Sequence, residues 1–211
     1  MTFSLILTGV LFILICFNVG ESIFSKLKLK KRFLVLFLAL TLVLYFVPSI
    51  QINGVSFTWV GFVLPLIFSV VAIVRIKKFK TFLRVLVSAL VTFALNIVYN
   101  LITFDVYESA LLQPYLVLGV LLGFLLLFVV QTPSRLYASA FIGIILSEIA
   151  FYFSRYSIYG DSYLTIGSEK VFCILLVAFV VSLLTYFLAR KIKVIEIRRR
   201  LKKSEREKKL A

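Results

Sequence analysis

One acidic side chain, Glu148, stands inside an apolar run long enough to cross a membrane. An ionisable group in hydrocarbon is costly and marks a candidate functional site. Its depth follows from Arg135, 13 residues earlier, at about 1.5 Å per helical residue, or roughly 20 Å up. A second apolar run carries Ser88, Thr92, Asn96 and Asn100. Four-residue spacing puts these polar groups on one helical face. Counted from Arg84, Asn96 reaches about 18 Å, a height similar to that of Glu148. An amide donating to a carboxyl there would offset part of the burial cost. Two readings follow for Glu148, Asn96 and Asn100. They form either a hydrogen-bonded lock between two helices or a proton- or cation-responsive intramembrane polar site.

The run that holds Glu148 also carries Ser139, Gly143 and Ser147. Small residues four apart let helix backbones approach closely, so this stripe reads as helix packing. Glu148 lies about 100° beyond it and points near the same contact. In another run, Pro65 with Gly61 removes one backbone hydrogen bond and can kink a helix. Ser168 and Glu169 suit the start of a helix, the first as a cap and the second at its positive end.

The elements that position these groups are apolar segments near 20 residues, the length that crosses a 30 Å hydrocarbon core. The chain has 211 residues and is 62% hydrophobic, with a mean hydropathy of +1.10. That exceeds the roughly 45–50% of a soluble domain. Seven spans are expected, at about Thr2–Val19, Phe33–Val47, Val55–Val74, Phe82–Phe104, Pro114–Val130, Leu136–Phe153 and Lys170–Ala189. The first is read as a retained span and not a signal peptide, because no cationic segment precedes it and no small-residue cleavage pattern follows. Pro48–Gly54 reads as a short turn between the second and third spans, and Ser154–Glu169 as a loop between the sixth and seventh.

Charge fixes the expected orientation. Five cations lie in Lys26–Arg32, five in Arg75–Arg84, one at Arg135 and eleven in Arg190–Lys209. Seven spans place all of these on one side and leave Arg155 and Lys170 on the other. Cytoplasmic loops carry the excess of Lys and Arg, so the N-terminus is expected outside and the C-terminus inside. Tyr45, Trp59, Tyr99, Tyr107, Tyr115, Tyr152 and Tyr156 gather toward the outer ends, as an interfacial aromatic belt does. The net charge of +15 is thereby assigned to short loops that meet anionic lipid headgroups, and nucleic acid is not expected as a partner. Beyond Ala189 only Val194, Ile197 and Leu201 keep an apolar helical face. The expected fold class is an all-α polytopic membrane helix bundle. It has a seven-span domain over 1–189 and a basic, helical cytoplasmic tail over 190–211.

Absences narrow the chemistry. The chain has no His, which removes Ser–His and Cys–His catalysis and the HExxH zinc site. No GxxxxGK[ST] phosphate loop is present. The two cysteines, Cys16 and Cys173, fall toward opposite faces, too far apart for a disulfide. No metal, cofactor or catalytic residue is expected, and the chain is not read as an enzyme.

The second half of the chain resembles a family of small polytopic membrane proteins of unknown function, from spore-forming Gram-positive bacteria and their prokaryotic relatives. The resemblance rests on a short turn with Pro133 and Arg135, then Leu136-Tyr137-Ala138-Ser139, Gly143 and the acidic Glu148. Thr165-Ile166-Gly167 precedes the last span. In such relatives the acidic position is often Asp, with more glycine around it and in the last loop. The resemblance implies a bacterial cytoplasmic membrane and no assigned activity. The expected role is a scaffold or accessory membrane component, and the alternative is a small permease or transporter component built around Glu148.

Overall fold

A computed structural model describes residues 2–17, 31–52, 55–103, 114–130, 132–159 and 164–210. Among these the chain is mostly helical. Seven α-helices run in order: α1 (Thr2–Cys16), α2 (Lys31–Leu44), α3 (Leu64–Val74), α4 (Phe79–Thr103), α5 (Pro114–Val130), α6 (Pro133–Tyr159) and α7 (Glu169–Leu210). Three segments are long and apolar enough to cross a membrane: Phe79–Ile102, Pro133–Ser154 and Glu169–Ala189. Four shorter apolar helical segments accompany them.

The outward faces of these helices carry many large apolar side chains. Phe79, Phe128 and Ile102 are 78%, 79% and 67% exposed, and Leu86, Leu90, Leu121 and Phe124 are also exposed. Apolar patches on soluble monomers rarely exceed a few hundred Å². Side chains like these on several helices suit lipid, where every backbone polar group must be satisfied within the helix itself.

Two close helix pairs organise the bundle. In the first, α4 and α6 pack along the two stripes that their sequences carry. Ser88 donates to Ser139 Oγ at 3.0 Å, because the Ser139 hydroxyl proton is already given to the Leu136 carbonyl. One turn on, a Cβ at Gly143 would lie 2.4 Å from the Ala89 carbonyl oxygen and 2.6 Å from Thr92 Cβ, so only glycine fits there. A further turn on, Asn96 Nδ2 donates to Ser147 Oγ at 2.5 Å. The partners advance together along both chains, so α4 and α6 are parallel. In the second pair, Gly119 faces Val177 and Gly123 faces Val181, and a Cβ on either glycine would come within 2.9 Å of the valine Cβ. These helices, α5 and α7, are parallel as well. The core between the pairs holds Leu122, Leu126, Leu136, Ile144 and Ile174, all essentially inaccessible.

Three features differ from the sequence expectation. The third span does not begin at Val55 as a helix. Ile50–Ile52 (β1) and Val55–Phe57 (β2) pair antiparallel, and Leu164–Ile166 (β3) adds in parallel to β2. The order in this small sheet is β1-β2-β3. Alternation of polar and apolar residues over three-residue strands is too short to stand out from an apolar span. The second difference is a π-helix, Trp59–Val63, between β2 and α3. Its wide turn is visible in the Val63 N–H, which donates to the Thr58 carbonyl five residues back at 3.2 Å. Pro65 brings no N–H to the next turn, so the change from π to α winding falls where a helical bond is missing anyway. The third difference is at Ser154–Glu169, where α6 continues to Tyr159 and β3 follows in place of a plain loop.

The last helix α7 is unbroken for 42 residues, from Glu169 through the basic segment.

Candidate functional site

The sheet, the π-helix and the first turn of α7 meet at one end of the bundle, and Glu148 is what α6 contributes there. Its Oε2 accepts the Gly167 backbone N–H at 3.0 Å, and its Oε1 accepts the Ser168 hydroxyl at 3.4 Å. The Gly167 carbonyl, on the other side of the same residue, accepts the Thr58 hydroxyl. Thr58 also receives the Gly61 N–H on its Oγ1 at 3.2 Å, and its own N–H donates to the Ile166 carbonyl at 3.2 Å. Gly167 is thus held from both faces, by a carboxylate through its nitrogen and by a threonine through its oxygen.

Local sequence explains why the chain can do this. Gly167 has φ +75°, a left-handed conformation that glycine adopts without a side-chain clash. Gly61 lies across it: a Cβ on Gly61 would be 1.9 Å from the Gly167 carbonyl oxygen, and one on Gly167 would be 2.6 Å from the Gly61 carbonyl carbon. Neither position tolerates a side chain, so the π-helix and the turn before α7 approach backbone to backbone.

The predicted site residues lie near one another but bind different partners. Asn96 meets Ser147, the residue before Glu148, and not Glu148 itself. Asn100 accepts from Lys170 Nζ at 3.1 Å, and that ammonium lies 5.4 Å from the centre of the Tyr99 ring. Together these bonds tie α4 to α6, α4 to α7, and α6 to the turn that starts α7. The stripe Ser139, Gly143 and Ser147 faces α4. One buried acceptor in this region, Asn96 Oδ1, has no hydrogen-bond partner.

Around this clasp, residues that spacing alone did not single out complete the end of the bundle. Tyr45 donates to Glu169 Oε1 at 2.6 Å, and Trp59 Nε1 donates to the Pro48 carbonyl at 3.0 Å. Thr58 has no sequence signal of its own, and the aromatic-belt signal of Tyr45 does not point to Glu169. The Gly119-x-x-x-Gly123 pair of α5 did have one, since this spacing is the small-residue motif of close helix contacts. Tyr107 lies outside the described residues. Of the two cysteines, Cys16 is exposed and Cys173 buried, and neither is in a disulfide.

These features define a mostly helical chain with lipid-compatible outer faces and a small sheet clasped at one end. Compared with known protein families, curated proteins and solved structures, the chain matches none of them.

Proposed function

We propose that this chain is a multi-pass protein of the bacterial cytoplasmic membrane that acts as a non-catalytic scaffold or accessory component. In this reading all seven α-helices cross or enter the bilayer, with the N-terminus outside and the C-terminus inside. The parallel pairs α4/α6 and α5/α7 support it, because parallel neighbours in sequence order α4, α5, α6, α7 require alternate crossings. Exposed cations support the orientation. Arg75, Lys77 and Lys78 lie in the turn between α3 and α4, and Lys80 and Arg84 in the first turns of α4, at the opposite end of α4 from Asn100 and Lys170. The basic loops and the tail meet anionic lipid headgroups. Localisation in a bacterial membrane draws on this charge pattern and on the resemblance in the second half of the chain.

The observation that carries the scaffold reading is the use of Glu148. Its two oxygens receive Gly167 and Ser168, which makes it a structural fastener for the clasp. Buried donors of this kind lose about 1–3 kcal/mol when their acceptor is removed. The test is Glu148→Gln in reconstituted vesicles. The scaffold reading expects a lower melting temperature and no proton- or cation-driven flux in either form of the protein. Flux in the wild type that disappears in a variant of unchanged stability would sink it.

One observation favours the second reading, a small permease component whose site includes Glu148, Asn96 and Asn100. Asn96 Oδ1 is a buried acceptor without a partner, and Asn96 meets Ser147, the residue before Glu148. A transported proton donor could meet it there. The same flux measurement separates the two.

A further inference from the structure

A cavity of about 290 Å³ opens beside the clasp, between the end of α2, the π-helix and the first turn of α7. That volume is near the lower end of ligand pockets, roughly 300–1,000 Å³. Its walls include Tyr45, Trp59 and Phe172, and among the described residues Glu169 is the one charged residue that lines it. The neighbouring cation, Lys170, does not line the cavity. It is turned to Asn100 and to the Tyr99 ring.

Two hydrogen bonds fix this wall in place. The Tyr45 hydroxyl anchors Glu169, and the Pro48 carbonyl holds the Trp59 indole. Indole and phenol rings attract a cation through their faces, and Trp59 and Tyr45 both line this cavity. Trp59 is also the first residue of the π-helix, an element that occurs frequently at functional sites. A primary ammonium needs three acceptors, and the carboxylate that this cavity offers is already engaged by Tyr45. A methylated ammonium needs none and gains from rings and from the negative charge.

We infer that this cavity binds a small quaternary ammonium group through Tyr45, Trp59 and Glu169. The group is either that of a free solute or that of a lipid headgroup, and the site is independent of whether the chain is a scaffold or a permease component.

The full chain in nanodiscs of phosphatidylglycerol tests this, with the emission of Trp59, the one tryptophan, as the readout. Choline is titrated in parallel with its neutral isostere, in which a quaternary carbon replaces the nitrogen. The expected result is a saturable change with choline and none with the isostere. Glu169→Gln raises the choline midpoint about tenfold, the equivalent of losing one partly desolvated cation contact. Tyr45→Phe breaks the same Tyr45–Glu169 bond but keeps ring and charge, so it raises the choline midpoint by less than Glu169→Gln does. A second arm uses nanodiscs that contain phosphatidylcholine. If the headgroup is the ligand, Trp59 emission is already shifted and added choline changes it no further. If a free solute is the ligand, the titration repeats that of the first arm. Equal responses to choline and its isostere, no response in either arm, or equal weakening by both variants would overturn the inference.

Discussion

The backbones of Gly61 and Gly167 cross so closely that a Cβ on the first would stand 1.9 Å from the carbonyl oxygen of the second. The two residues are joined on both sides by Thr58, which bonds each of them. This crossing fastens the π-helix to the start of α7, and it dictates the first prediction. Gly61→Ala forces backbone against backbone, with no flexible side chain to yield. Overpacking costs about 1–3 kcal/mol, so the melting temperature of the purified protein falls by several degrees. Gly167→Ala adds the strain of φ +75° and falls further.

Glu148 acts on the same crossing through hydrogen bonds, which separates its charge from its geometry. Glu148→Gln keeps a carbonyl oxygen for the Gly167 N–H, whereas Glu148→Ala leaves two donors without an acceptor. The alanine variant is expected to lose about 1–3 kcal/mol and the glutamine variant less. Denaturation in mild detergent gives the order directly. A glutamine variant as unstable as the alanine one would mean that the negative charge, and not the acceptor, holds the turn.

The parallel register of α4 and α6 can be read by cross-linking. In a chain carrying Cys16→Ser and Cys173→Ala, Ser88→Cys with Ser139→Cys oxidises to a disulfide, because the two Oγ atoms stand 3.0 Å apart. The mismatched pair Ser88→Cys with Ser147→Cys does not. Gel mobility with and without reductant distinguishes them.

Between α5 and α7, Gly123 and Val181 are coupled by volume. Gly123→Ala is expected to destabilise by about 1–3 kcal/mol. Val181→Ala removes one of the atoms it strikes, and the double variant recovers part of the loss. Recovery stays partial, since the Val181 Cβ that alanine keeps lies 2.7 Å and the Ala178 carbonyl oxygen 2.8 Å from the added Cβ. A double-mutant cycle with coupling of at least about 0.5 kcal/mol is the expected outcome. Simple additivity would deny the contact.

Membrane orientation is tested at two exposed positions. In the same cysteine-free background, an impermeant maleimide labels Ser49→Cys from outside intact cells and reaches Lys77→Cys after lysis alone. Labelling of both from one side contradicts the seven-span arrangement.

The bundle was legible in the sequence because its helices announce themselves by long apolar runs and by stripes at four-residue spacing. Ser88, Thr92 and Asn96 do face Ser139, Gly143 and Ser147. Two independent periodicities, each visible alone, turn out to be halves of one interface. The expected meeting of Asn96 with Glu148 missed by one residue, since equal height does not fix rotation about the helix axis. The clasp was harder to see for another reason. Thr58, Gly61 and Gly167 act through contacts between segments more than 100 positions apart, and their residue types are ordinary for any turn or span. Strands of three residues also leave too little alternation to compete with apolar surroundings. The Gly119–Gly123 spacing carried a signal of its own and could have located the α5/α7 contact.

The sheet also sets an order of assembly. Hairpin β1–β2 closes within eight consecutive positions, yet its remaining edge is completed by β3, with Val55 opposite Leu164. At ribosomal speeds of about 5–20 residues per second, that partner emerges roughly 5–20 s later. During this interval the β2 edge, the Thr58 hydroxyl and the bare backbone at Gly61 wait for strand and turn alike. The end of the molecule that carries the cavity therefore matures only once the chain has passed Gly167, and a nascent chain halted before that residue has α1 to α6 but neither α7 nor the clasp.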